Sequence, residues 1–120
     1  MKFKALITEP NPRNNGGMRI IRRMARRIAK RFHPEKVILF GSYARGTAGP
    51  DSDADLLIVF GSVKNKRRKA AEIYGHLGAT GLPKDIVVTS RSEVRKYGEA
   101  VGTIIRPAMQ EGLILYERRG

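Results

Sequence analysis

The chain has 120 residues, of which 41% are hydrophobic, enough to bury the core of one domain. It has no run of about 18 apolar residues to span a bilayer, and around Lys2 and Lys4 it lacks the apolar stretch of a secretory signal, so a cytoplasmic protein with no membrane association is expected. With no cysteine, and only His33 and His76 as imidazoles, disulfide frameworks and thiolate zinc sites are excluded, and any metal would be a hard ion held by carboxylates. The 24 Lys and Arg against 11 Asp and Glu give a formal charge of +13, which favours nucleotides, nucleic acid or an acidic protein surface as partners.

Residues 1–17 read as an N-terminal extension: residues 3–8 form a short strand, and the Pro, Asn and Gly of residues 10–17 make a linker. Residues 18–120 then form a single domain. Within residues 18–32, Ile21, Met24, Ala25, Ile28 and Phe32 recur at steps of three and four, predicting a helix with one apolar stripe that Pro34 stops. Its remaining surface carries Arg19, Arg22, Arg23, Arg26, Arg27, Lys30 and Arg31 with no acid, a row that suits either a solvated face or a nucleic-acid surface.

Val37-Ile38-Leu39-Phe40 predicts a buried strand ending at Gly41, and residues 42–52 a turn of helix followed by a loop. Leu56-Leu57-Ile58-Val59-Phe60 supplies a second buried strand, entered through Asp53-Ala54-Asp55. Residues 63–78 favour a helix, with Val63, Ala70, Ile73, Tyr74 and Leu77 available to the core. Asp85-Ile86-Val87-Val88-Thr89 reads as a third strand, and Ser90 or Ser92 caps a helix through Val94 and Tyr97. Within residues 101–110 a further helix is broken or delayed by Pro107, and Leu113-Ile114-Leu115-Tyr116 closes the chain as a short strand. The resulting fold class is α/β (α+β), a small mixed sheet flanked by helices.

Alternation along a strand sends Asp53 and Asp55 to one face, where like charges are unfavourable unless a cation shares them, and oxygen ligands of this kind suit Mg²⁺ or Mn²⁺. Asp85 opens the next apolar strand and becomes a third ligand if the two strands are neighbours. Gly41-Ser42 stands where a strand gives way to a turn of helix, a place where backbone N–H groups converge on anions. Two competing motifs fail. Gly41 to Gly46 begins like a phosphate loop, but Thr47 stands where that loop needs lysine; Asp51 to Asp55 begins like a calcium loop, but Leu56 and Ser62 replace its glycine and glutamate. His33 and His76 read as structural or surface residues, and Tyr43 either packs or borders a nucleotide.

The run Gly41-Ser42-Tyr43-Ala44-Arg45-Gly46, followed by Ser52-Asp53-Ala54-Asp55-Leu56, resembles the DNA polymerase β-like nucleotidyltransferase superfamily. The closest resemblance is to its minimal members, antitoxins paired with HEPN-type toxins. It implies the nucleotidyltransferase fold, with two Mg²⁺ or Mn²⁺ ions held by Asp53, Asp55 and Asp85. Asp85 would also help deprotonate the acceptor hydroxyl, Gly41 and Ser42 would hold the β and γ phosphates, and Arg45 would either steady them or stand solvated. The implied reaction moves a nucleoside monophosphate, AMP from ATP, to a hydroxyl, which in antitoxin-type members lies on the partner toxin. The basic face of residues 19–31 and the N-terminal extension depart from that pattern. They keep open an antitoxin that works by docking alone, an RNA-binding or RNA-tailing protein, and self-association that completes the site.

Overall fold

The computed structural model describes residues 15–97 and 105–119, so the strand expected at residues 3–8 and the helical residues expected at 101–104 lie outside it. The elements are α1 (Asn15–Phe32), β1 (Lys36–Phe40), α2 (Ser42–Arg45), β2 (Ala54–Phe60), α3 (Lys66–Leu77), β3 (Lys84–Ser90), α4 (Arg91–Tyr97), α5 (Ile105–Glu111) and β4 (Leu113–Glu117). The strands form one mixed sheet in the order β3-β2-β1-β4. β1 runs antiparallel to both β2 and β4, whereas β2 and β3 are parallel and are joined through α3, because a parallel pair needs a crossover connection.

Both faces of this sheet are covered, so its central strands are continuous apolar runs without alternation. Val37, Leu39, Leu56, Ile58, Ile86 and Val88 point towards α1 and α3, where Ile21, Met24, Ile28, Ile73 and Leu77 meet them. Ile38, Phe40, Leu57 and Val59 point the other way, against Val94 of α4 and Ala108 and Met109 of α5. Ile21, Ile28, Leu39, Leu56, Leu57, Ile58 and Ile73 are fully buried, each contributing about 1.5–3 kcal/mol of transfer free energy.

Local chemistry sets the element ends. α1 already includes Asn15, Gly16 and Gly17, and Gly17 lets the Tyr43 ring lie against the helix; a β-carbon there would come within 2.8 Å of the ring. At its other end His33 adopts a left-handed φ of 54° and donates its backbone N–H to the Ala29 carbonyl at 3.1 Å, closing the helix before Pro34. α3 starts at Lys66 and not at residue 63, since Asn65 accepts the Arg68 N–H at 3.0 Å as an N-cap. Ser90, not Ser92, caps α4, its hydroxyl accepting the Glu93 N–H at 3.4 Å. Pro107 lies within α5, whose described residues run from Ile105 to Glu111. Tyr74 differs from the core role expected of it. Its ring is 38% exposed, and its hydroxyl accepts the Ile86 N–H at 2.8 Å, covering one donor of edge strand β3.

Away from the sheet's acidic end, the side chain of Glu35 pairs with Arg91 and lies 3.7 Å from Arg118. The Arg91 hydrogen bond and the neighbouring Arg and Lys charges hold its carboxyl below the ordinary glutamate value, against the opposing effect of burial. Lys36 and Glu117, partners across β1 and β4, add an ion pair at 3.5 Å.

Candidate active site

Asp55 interrupts the apolar run at the head of β2, and its register partner in the parallel ladder is Asp85. Parallel neighbours lie about 4.8 Å apart and send paired side chains to the same face, so the two carboxylates are adjacent by construction. Asp53, two residues before Asp55, precedes the strand. The Ala54 N–H donates to the Pro83 carbonyl at 2.9 Å, which draws the approach to β2 onto the approach to β3. Burial, reinforced by the charges of Asp85 and Asp53, pushes the Asp55 carboxyl above its ordinary value, while Arg45 opposes the shift.

Gly41 follows β1 at the same end of the sheet, since Phe40 is the register partner of Asp55. Its φ of 75° lies in the left-handed region, and a β-carbon there would overlap Asp55 Oδ2, so only glycine fits. Ser42 opens α2, whose short turn is held by the Arg45 N–H to Gly41 carbonyl bond at 3.1 Å and the Thr47 N–H to Ser42 carbonyl bond at 2.9 Å. The loop beyond is pinned by the Gly49 N–H donating to Ser52 Oγ at 2.8 Å.

Arg45 is half-exposed and stands 3.8 Å from Glu111, the last residue of α5. Glu111 is absent from the sequence-derived site, because no motif ties a residue at the end of α5 to a turn before β2. Tyr43 packs: it is buried against α1. His33 and His76 lie on the surface, His76 edge-on to Phe32 at 5.6 Å between ring centroids.

The structure therefore brings Gly41, Ser42, Arg45, Asp53, Asp55 and Asp85 to one end of the sheet. Among the described residues, no group of three His, Cys, Asp or Glu side chains is gathered closely enough to hold a metal ion as it stands. The strand register brings the aspartate backbones together without closing the side chains around one point. Their chemistry nonetheless suits a hard divalent ion, because a cation shared by these carboxylates would offset both the burial and the mutual repulsion that raise Asp55.

A mixed sheet with this order, covered by helices on both faces, is a nucleotidyltransferase fold. A solved structure from Sulfolobus solfataricus, provisionally assigned as a nucleotidyltransferase, shares it with a TM-score of 0.60 at 21% sequence identity, over 84% of this chain and 80% of that one. Residues 21–114 match the nucleotidyltransferase domain family, and the chain belongs to that family. No curated protein sequence matches it. Nucleotidyl transfer from a nucleoside triphosphate is thus the general activity, and domains of this family generally use a divalent metal.

Proposed function

We propose that the protein transfers a nucleoside monophosphate, AMP from ATP, to a hydroxyl of a macromolecular acceptor, with two Mg²⁺ or Mn²⁺ ions held by Asp53, Asp55 and Asp85. The observation that carries this reading is the pairing of Asp55 with Asp85, with Gly41 folded directly against Asp55. Divalent ions bound there would supply Lewis acidity and offset the charge of the triphosphate.

The chain's own residues do the rest. Gly41 keeps the turn open to phosphate oxygens, and the Ser42 hydroxyl donates to them alongside backbone N–H groups that have no partner within so short a helix. Arg45 places its guanidinium beside the same oxygens. Asp85, exposed at the head of β3, accepts the proton of the acceptor hydroxyl as its oxygen bonds to the α-phosphorus. The bond from that phosphorus to the bridging oxygen breaks, and pyrophosphate leaves with its electrons.

Incubation with α-labelled ATP, Mg²⁺ and acceptor should transfer label and release pyrophosphate. Equal labelling by an Asp53→Asn, Asp55→Asn variant would overturn the reading. Two classes of acceptor carry a suitable hydroxyl: a side chain of a partner protein, as the antitoxin resemblance implies for a HEPN-type toxin, or the end of a nucleic-acid strand. Co-expression separates catalysis from docking in the first case. Neutralisation of the toxin that persists in the double aspartate variant would mean that binding suffices. Among the described residues no helix is long and apolar enough to cross a membrane, and a cytoplasmic setting, where ATP is abundant, fits the proposed reaction.

A further inference from the structure

Arg45 and Glu111 lie far apart in the chain, yet the fold fixes each of them at the same border of the candidate site. Arg45 stands one turn after Gly41, to whose carbonyl its backbone N–H donates at 3.1 Å, and Gly46 ends that turn with a left-handed φ of 76°. The charge of the Arg45 guanidinium is felt at Asp55, where it opposes the rise in that carboxyl's pKa.

Glu111 is anchored from the other side. The Gly112 N–H donates to the Ala108 carbonyl at 2.9 Å at the end of α5, and a β-carbon at residue 112 would overlap both that carbonyl and the Ile38 side chain. Only glycine lets the turn into β4 lie so close to β1. Ala108 is buried with Ile38 and Phe40 of β1, and Phe40 is the residue before Gly41. β1 is thus the common platform on which α5 and α2 bring carboxylate and guanidinium to 3.8 Å.

Among the described residues each of the two is the other's only ion-pair partner, and the guanidinium donates no hydrogen bond. The pair therefore confines the Arg45 side chain while leaving its donors unspent. With both side chains half-exposed, the attraction adds little to stability. Its effect falls on conformational freedom. An arginine gives up much rotamer freedom when it clamps a ligand, and a tether that already restricts it reduces that loss.

We infer that Glu111 is a positioning residue: it holds the Arg45 guanidinium towards the β and γ phosphates of the bound nucleoside triphosphate and itself touches no reacting atom. The inference rests on the transferase reading above, in which Arg45 meets those phosphates.

The test is isothermal titration calorimetry of the full chain with Mg²⁺ and α,β-methylene ATP, an analogue that transfer does not consume. Glu111→Gln should weaken the analogue about two- to fivefold, the range expected of an exposed ion pair. Glu111→Asp, which keeps the charge, should bind it more tightly than Glu111→Gln. Arg45→Gln should weaken it at least as much, and adding Glu111→Gln to that variant should cause no further loss, because the carboxylate acts only through the guanidinium. Glu117→Gln makes the same charge change beside Lys36 at the opposite end of β4 and should leave affinity unchanged. All variants should keep the wild-type melting temperature.

Tighter binding by Glu111→Gln would overturn the inference, showing a carboxylate that only repels phosphate. Further weakening in the double variant would overturn it in favour of a general structural effect. The two readings fail separately. Undiminished transfer by Asp53→Asn, Asp55→Asn sinks the transferase reading, whereas a loss in Arg45→Gln with none in Glu111→Gln sinks the positioning role alone. No loss in Arg45→Gln would remove that arginine from the phosphates, and Glu111 with it.

Discussion

The carboxylate of Asp55 lies so close over Gly41 that a β-carbon at residue 41 would overlap its Oδ2 atom. Gly41→Ala therefore combines a steric conflict with a left-handed φ, and should cost about 1–3 kcal/mol of stability along with most of the transfer activity. Gly46 is the control. It has nearly the same φ, 76°, but open space around it, so Gly46→Ala should show only the backbone strain. Urea denaturation and pyrophosphate release on both variants check the comparison, and equal losses would show that contact with Asp55 is unimportant.

Removing the charge of Asp85 should lower the pKa of Asp55, because that charge raises it. A carboxyl-detected NMR titration of Asp85→Asn reads the change directly. If Asp85 is the proton acceptor, the same variant should lose about 10²–10⁴ in turnover.

Asp55 also predicts how the fold responds to pH and metal. Its folded pKa is raised, so the folded state holds this proton more tightly than the unfolded chain does. Ionisation then subtracts stability, setting in as pH rises from the unfolded carboxylate value and complete above the folded one. Asp55→Asn should therefore melt a few degrees higher than wild type at neutral pH while losing activity. Mg²⁺ at ten times its dissociation constant should stabilise the wild type by about 1.4 kcal/mol and the variant much less, as differential scanning calorimetry can show.

Glu35 has the opposite sign. Its folded pKa is lowered by Arg91, Arg118 and Lys36, so its contribution is present above the unfolded carboxylate value and disappears as pH falls through the folded one. Glu35→Gln should lower the melting temperature by a few degrees at neutral pH, and the gap to wild type should close in acid. A gap independent of pH would locate the effect in packing and not in charge.

Much of this molecule is legible in its sequence because the informative signals are local. The apolar runs at Val37 and Leu56 declare two buried strands, and the stripe through Ile21 and Ile28 declares α1. What escapes depends on partners far along the chain. Gly17 reads as part of a linker until the Tyr43 ring is seen against it, and Tyr74 reads as core until its hydroxyl is found on the Ile86 N–H. Likewise Glu111 acquires meaning only when α5 brings it to Arg45. The neighbouring placement of Asp85 was conditional for the same reason, since adjacency of β2 and β3 is a matter of topology and not of composition.

That topology divides the candidate site into two parts of unequal security. Gly41, Ser42, Asp53 and Asp55 border the antiparallel pair β1 and β2, whereas among the described residues Asp85 belongs to an edge strand paired on one side only. Fraying of β3 would withdraw one carboxylate and leave the other residues in place, so heat or mild denaturant should silence the protein before its core melts. Faster amide exchange at Val87 than at Leu57 would be the early sign, and the Tyr74 hydroxyl, clasping the outer edge of β3, would then steady the proposed third carboxylate from a distance.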